Sequence, residues 1–373
     1  MTSGAEAVPV SGAGASAGAS ARRVGVEEEL LVVDPVTGQA RAQSSGVLRF
    51  ADDATTSTEL QREQVEVETR PCRSVGELAI EVGRRRREIA EAARRNGVEI
   101  AALATSPLPV EPSVSPGGRY QRMAQRFAAT ARETLTCGCH VHVEVGSDSE
   151  AVDALNRIRP WLPVVLALSS NSPFWQGEDS GYASYRSQVW ARWPSAGPPG
   201  EFSSADEYHA TVTAMVATET LLDEGMIYFD ARLSRSYPTV EVRVADVCLR
   251  AEDTVLIAAL TRALVETAAG EHRDGVPTPA IRSEVLRLAT WQAGRSGLGG
   301  RLVHPRDGSP APAPAVIAAL VEYVRPALEQ AGEYPEATER LDTVLSRGTG
   351  ADQQRSIYQR RGQLSDIVTA ARI

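Results

Sequence analysis

The stretch CHVHVEV, residues 139–145, alternates polar and apolar side chains. An alternation of period two is typical of a β-strand, because successive side chains of a strand point to opposite faces of the sheet. His140, His142 and Glu144 then share one face, opposite three valines. A chain with only five histidines therefore places two of them beside a carboxylate on one strand face.

Three further segments divide in the same way into a charged and an apolar face. The polar faces hold Glu27 and Glu29 in 24–32, Gln64, Glu66 and Glu68 in 64–69, and Glu241 and Arg243 in 239–245. One such strand is typical of a solvent-exposed sheet, but four strands rich in acids, with almost no Ser or Thr, indicate a functional surface. Glu28 falls on the apolar face, so we expect it at an edge or in an ion pair. Whether Glu68 and Glu144 belong to the charged face or to its rim stays open.

The charged faces predict a metal site if they line the concave side of a curved sheet. Crowded carboxylates repel one another, and divalent cations make that crowding tolerable. Many carboxylates and few imidazoles suit Mg²⁺ or Mn²⁺ better than zinc. Mg²⁺ in proteins usually keeps coordination positions for substrate phosphate, which predicts a phosphorylated co-substrate. The chain contains no lysine, so arginine is the expected phosphate ligand.

Composition excludes several other classes of function. The net charge of −9 argues against nucleic-acid binding, and no stretch of 18 apolar residues predicts a membrane span. The four cysteines do not form CxxC pairs, which favours a reduced, cytoplasmic protein. Residues 1–21 lack a basic start and a continuous apolar block, so we expect a disordered tail rather than a signal peptide. The arginine run 84–87 is expected on a solvated helix face.

Periodicity and turn residues predict an α+β fold with a mostly antiparallel sheet covered by helices. Further strands are expected at 98–105 and 226–233. Helices are expected at 74–97, 118–134, 150–172, 204–225, 251–272, 280–293, 313–331, 335–346 and 351–371. The segment 173–203, rich in Gly, Pro, Ser and Trp, is expected to be a long loop near a binding site.

Five ordered motifs resemble the bacterial carboxylate–amine ligases of the YbdK type, also called the glutamate–cysteine ligase type 2 family. They are VGVEEEL, ELQREQVEVETRPC, CGCHVHVEV, LSSNSPFWQG and PTVEVRVADV. GxHxH followed by ExR is also similar to the wider glutamine synthetase superfamily. The resemblance implies an antiparallel sheet curved into a funnel with helices outside, and a single catalytic domain over 22–373.

The resemblance also implies an ATP-dependent reaction and a set of site residues. ATP would phosphorylate a glutamate-like carboxylate, and a cysteine-like amine would attack the acyl phosphate to give an amide. The implied ligands for Mg²⁺ or Mn²⁺ are Glu27, Glu29, Glu59, Glu66, His140 and Glu241. Arg243 would hold phosphate or the substrate carboxylate, Arg232 matches a further family arginine, and Arg295 would reach nucleotide or substrate.

Several alternatives stay open from the sequence. An HxH strand also occurs in metal-dependent amidohydrolases, although the missing lysine and the positions of the other histidines count against that class. A non-catalytic nucleotide or small-molecule binder on a ligase scaffold is the other reading. Neither the general base, with Glu68 and Glu144 as candidates, nor assembly into a homo-oligomer is decided by the sequence.

Overall fold

The structure, a computed structural model, describes residues 21–52 and 55–373. Its strands are β1 (Val24–Val33), β2 (Thr56–Thr58), β3 (Gln64–Glu68), β4 (Glu99–Ala101), β5 (Gly138–Glu144), β6 (Phe174–Trp175), β7 (Glu178–Asp179), β8 (Ala231–Leu233), β9 (Thr239–Asp246), β10 (Arg301–Val303) and β11 (Pro310–Pro312). Its α-helices are α1 (Ser44–Leu48), α2 (Val75–Arg95), α3 (Gly118–Phe127), α4 (Ala129–Glu133), α5 (Asp148–Ile158), α6 (Leu162–Ser169), α7 (Arg186–Trp190), α8 (Ala205–Ala217), α9 (Ala251–Arg273), α10 (Ser283–Ser296), α11 (Ala313–Gln330), α12 (Tyr334–Arg347), α13 (Gly350–Arg361) and α14 (Leu364–Ala370).

Seven strands form one antiparallel sheet in the order β2-β3-β1-β5-β9-β8, with β4 also paired to β1. The valines that alternate with the charged residues are buried and pack against helices, among them α2, α6 and α9. Burying one face of each strand fixes its register, because a slip by one residue would turn the charged face into the core. The expected antiparallel sheet with covering helices is confirmed.

Helix signals in the sequence locate most helix starts, and α2 is the clearest case. The Ser74 side chain accepts a hydrogen bond from the backbone N–H of Glu77, as the capping-box spacing predicts. Three long expected helices are each divided in two. The 118–134 helix breaks at Ala128, where φ is 50°, and the 351–371 helix breaks at Gly362, where φ is 66°. The 150–172 helix is divided into α5 and α6 by a 3-10 turn at Arg159–Trp161 and ends at Ser169.

Two other expectations about segments are wrong in part. The expected strands 98–105 and 226–233 are reduced to β4 and β8, of three residues each. The long segment 173–203 is not an unstructured loop, since it contains the small hairpin β6–β7 and the helix α7.

The arginine run in α2 is not a wholly solvated face, as the sequence suggested. Arg85 and Arg86 are each only 5% exposed. Arg86 forms a buried ion pair with Glu28, at 2.6 Å between Nη2 and Oε1. Glu28 is therefore paired, one of the two outcomes expected for an acid on an apolar strand face.

The expected disordered tail, residues 1–21, lies outside the described residues except for Ala21. Within the described part of the chain, none of the helices combines the length and the hydrophobicity needed to cross a bilayer.

Candidate active site

The charged faces of β1, β3, β5 and β9 line one cavity of about 380 Å³, here called the main cavity. Register explains the convergence, because Glu27 lies opposite His140, Glu29 opposite Glu66, and His142 opposite Glu241 in neighbouring strands. Glu59, just after β2, also lines it. The cavity therefore collects all six residues expected as metal ligands, namely Glu27, Glu29, Glu59, Glu66, His140 and Glu241.

Three carboxylates form the first potential metal-binding group. Glu29, Glu59 and Glu66 each place one oxygen within 4.8 Å of the others. Burial and the charge of Glu29 raise the pKa of Glu59 to about 8, and burial together with Glu59 and Glu27 raises the pKa of Glu66 well above its usual value. Both shifts come first from burial and then from the crowding of carboxylates at this end of the cavity.

Glu27 joins two further potential metal-binding groups, one with Glu66 and His140 and one with His142 and Glu241. Its carboxylate lies 3.1 Å from Nδ1 of His140 and 3.0 Å from Nε2 of His142. Burial alone would raise the pKa of Glu27, but the two histidines lower it well below the usual range.

The two histidines differ in their protonation. Burial, and then the nearby Arg243, lower the pKa of His140, which favours the neutral imidazole that a metal ligand must be. Burial also acts to lower the pKa of His142, but the hydrogen bond and charge of Glu27 raise it above its ordinary value. The Nδ1 atom of His142 lies 3.0 Å from Oγ1 of Thr239.

Two arginines, Arg232 on β8 and Arg243 on β9, supply positive charge within the same cavity. Arg243 and Arg232 both bind the carboxylate of Glu241, and the Arg232 Nε atom lies 2.8 Å from Oε2. Burial would raise the pKa of Glu241, but the two arginines lower it to about 2. Arg232 also donates to the backbone oxygen of Ile227, at 2.8 Å, so its guanidinium is held in place.

Three residues that the sequence suggested as site residues, Arg295, Glu68 and Glu144, do not line the main cavity. Arg295 instead lies over the ring of Tyr182 and donates to the backbone oxygen of Gly181. Glu68 and Glu144 line a neighbouring cavity of about 280 Å³, where Glu144 pairs with Arg23. The role expected for Arg295 stays a prediction.

Sequence reasoning missed the aromatic side of the main cavity. Its lining includes Tyr120, Trp190, Trp193 and Tyr228, together with Arg119. Strand alternation cannot find these residues because they come from helices and loops. The tryptophans of the segment 173–203 were the available signal.

Comparison with known proteins gives relatives over nearly the full chain. The family model for glutamate-cysteine ligase family 2 matches residues 23–370. A Streptomyces avermitilis protein provisionally named glutamate–cysteine ligase 2-1 is 52% identical over 353 residues, which cover 93% of this chain and 98% of that protein. A Frankia alni protein provisionally named glutamate–cysteine ligase 2-2 is 49% identical over 364 residues, which cover 93% of this chain and 95% of that protein.

Solved structures with the same fold are much more distant in sequence. The glutamate–cysteine ligase of Francisella tularensis in complex with AMP has a TM-score of 0.68 and 15% identity, with 95% of this chain and 88% of that one covered. A bifunctional glutathione synthetase from Pasteurella multocida has a TM-score of 0.65 and 15% identity, and 94% of this chain spans 52% of that protein. The likeness confirms the fold, and the family match over residues 23–370 shows that the chain belongs to glutamate-cysteine ligase family 2.

Proposed function

We propose that the protein is an ATP-dependent carboxylate–amine ligase that forms an amide through an acyl phosphate, with a glutamate-like acid and a cysteine-like amine as substrates. Family membership supports a ligase that forms carbon–nitrogen bonds. The observation that carries the proposal is that seven potential metal ligands line one cavity together with Arg232 and Arg243. Phosphoryl transfer needs this combination, because it depends on positioning and charge neutralisation.

The donor set fits hard divalent cations. Glu27, Glu29, Glu59, Glu66, His140 and Glu241 would hold Mg²⁺ or Mn²⁺, and the grouping of His142 with Glu27 and Glu241 makes it a further candidate. Carboxylates outnumber imidazoles, which is the preference of Mg²⁺ and Mn²⁺ rather than of zinc. Burial and, after it, neighbouring carboxylates raise the pKa values of Glu59 and Glu66, and a bound cation would neutralise those like charges. When bound, such ions supply charge compensation for the β- and γ-phosphates of ATP.

The first step joins the acid to phosphate. A carboxylate oxygen of the acid attacks the γ-phosphorus of ATP, the bond to the β-phosphate oxygen breaks, and ADP leaves. Arg243 would stabilise the negative charge that develops on the transferred phosphoryl group. Arg232 and Arg243 bind the same carboxylate, that of Glu241. Arg232 would therefore hold Glu241 in place, and Glu241 would orient the guanidinium of Arg243.

The second step forms the amide. The amine attacks the acyl carbon, the bond from that carbon to the phosphate oxygen breaks, and inorganic phosphate leaves while the amine nitrogen loses a proton. A low-dielectric wall of Trp190, Trp193 and Tyr228 would keep water from the acyl phosphate. We further propose that 22–373 act as a single catalytic domain and that the protein works in the cytoplasm, where its four free, buried cysteines would stay reduced.

The test is product formation with purified protein, ATP and Mg²⁺. We expect L-glutamate and L-cysteine, or another pair from a panel of acids and amines, to give one amide and one phosphate for each ADP formed. Mass spectrometry of the product and phosphate release measure this stoichiometry. Amide hydrolysis without nucleotide would favour a metal-dependent amidohydrolase, and ATP binding without turnover for any pair would favour a non-catalytic binder.

A further inference from the structure

A second cavity of about 420 Å³ adjoins the main cavity, and Trp190, Trp193 and Arg243 line both. Its remaining walls come from three places. The segment after α7 forms one side, Phe229 and Asp230 form the floor beside β8, and α10 contributes Arg287, Thr290 and Trp291. A ligand in this second cavity would therefore lie next to the arginine that we assign to phosphoryl transfer.

Among the described residues, Asp230 is the one acid in the lining of the second cavity. It is 8% exposed, and its Oδ2 atom is buried without a hydrogen-bond partner. The backbone is fixed, because Asp230 donates its N–H to Gly197 and its carbonyl accepts from Arg243, at 2.9 and 2.8 Å. Burial raises the pKa of this carboxyl to about 7, against the opposing effect of Arg186 and Arg287. A buried carboxylate without a partner is costly, which points to a ligand that supplies a donor.

Arg287 lines the same cavity from the solvent side and is exposed. Its charge acts on Asp230, yet the structure shows no ion pair between these two described residues. The other arginines of the lining are engaged. Arg186 donates to the backbone oxygens of Arg243 and Val244, and Arg192 pairs with Glu133 at 2.9 Å. A carboxylate and a guanidinium thus face one cavity without binding each other.

We propose that the second cavity binds the amine co-substrate as a zwitterionic α-amino acid, with its ammonium group on Asp230 and its carboxylate on Arg287. The assignment rests on the proposed ligase function. The acid to be activated must lie beside the carboxylate groups of the main cavity, where ATP and cations would meet it. The second cavity has one carboxylate and adjoins the main cavity at Arg243. The bound ammonium group would give one proton to the Asp230 carboxylate, and the resulting free amine would attack the acyl carbon from outside the cation sites.

Direct binding tests the proposal without any need for turnover. Three of the five tryptophans, Trp190, Trp193 and Trp291, line the second cavity, so intrinsic fluorescence should respond to a ligand there. The titrants are L-cysteine, its analogue without the carboxylate (cysteamine), its analogue without the amine (3-mercaptopropionate), and L-glutamate. The other proteinogenic amino acids complete the panel, because cysteine need not be the physiological amine.

The expected pattern separates the two ends of the ligand. Asp230→Asn should weaken binding of the best amino acid and of its carboxylate-free analogue by about 10- to 100-fold, the worth of one charge-assisted hydrogen bond, and leave the amine-free analogue unchanged. Arg287→Gln, at an exposed position where folding is not at risk, should weaken the amino acid and the amine-free analogue instead. Glu133→Gln, a carboxylate change beside the same cavity but 59% exposed, should change neither.

Several results would overturn the assignment. They are unchanged amino-acid binding in both cavity variants, binding of no amino acid in the panel, or a loss confined to the acid that becomes phosphorylated. Steady-state kinetics keeps this failure apart from failure of the ligase proposal. Asp230→Asn should raise the KM for the amine and leave the KM for ATP within about twofold. Intact amino-acid binding together with no amide product would instead overturn the ligase function alone.

Discussion

His140 lies directly opposite Glu27 in the β1–β5 ladder, and its Nδ1 atom is 3.1 Å from Oε2 of that glutamate. The same glutamate reaches Nε2 of His142 with its other oxygen, at 3.0 Å. One carboxylate therefore connects both histidines of the HVH motif, yet the pKa of His140 is lowered and that of His142 is raised. This difference lets the two histidines be tested against each other.

His140→Ala should lose most of its kcat, because a cation held by these residues would lose a ligand that phosphoryl transfer needs. Mn²⁺ should recover part of that loss, since it binds nitrogen ligands more readily than Mg²⁺. His142→Ala should mainly raise the KM for ATP or substrate. Steady-state kinetics of both variants with each metal checks this, and a metal-dependent defect in His142→Ala alone would exchange the two roles.

Glu241→Gln should abolish ligation and also destabilise the fold. Repulsion among crowded carboxylates would by itself make removal of this acid stabilising in the absence of metal. The structure gives the opposite expectation, because Glu241 pairs with both Arg232 and Arg243 and is 2% exposed. Removing one partner of a buried ion pair costs about 3–5 kcal/mol. Denaturant unfolding without metal measures the change, and a variant as stable as the parent would contradict the pairing.

The sequence predicted the charged strand faces well. In a strand with a period of two, burial of the valines on one face places every charged residue on the other face. Five of the six expected metal ligands consequently line one cavity, and Glu59, which the family resemblance implied, joins them from just after β2. Helix breaks at Ala128 and Gly362 were missed, since amphipathic periodicity continues through a single residue of positive φ. Trp190, Trp193 and Asp230 were missed because tertiary packing, and not local pattern, brings them to the site.

Glu28→Gln should destabilise the protein by about 3–5 kcal/mol, because it leaves the buried guanidinium of Arg86 without its carboxylate. Arg86 also donates to the backbone oxygen of Cys248, at 2.7 Å. The ion pair therefore connects α2 both to β1 and to the segment that precedes α9. Activity per folded molecule should remain, as neither residue lines the main cavity. Glu91→Gln, an exposed change on the same helix, is the control, and equal unfolding midpoints for the two variants would disprove the argument.

Glu81 should make the free energy of unfolding depend on pH in the acid range. Burial would raise the pKa of Glu81, but Arg84 and Arg70 lower it to about 2, against about 4.3 in an unfolded chain. A carboxyl with a lowered folded-state pKa contributes stability that is present above the unfolded value and lost as pH falls through the folded value. Glu81→Gln should therefore be less stable than the parent at pH 6, with a difference that shrinks below about pH 4. Melting curves of both proteins from pH 2.5 to 7 check this, and a pH-independent difference would contradict it.

ATP and Mg²⁺ should stabilise the protein cooperatively. Glu27 and Glu66 each belong to two of the three potential metal-binding groups, so cations would share ligands and need further oxygens, which the phosphates of ATP supply. Each ligand then lowers the free energy needed to bind the other. The rise in Tm with both present should exceed the sum of the separate rises. Glu66→Gln should lose this excess, whereas the exposed Glu91→Gln should keep it. Additive shifts in the parent protein would show that metal and nucleotide bind independently, and the shared-ligand arrangement would then not be the catalytic one.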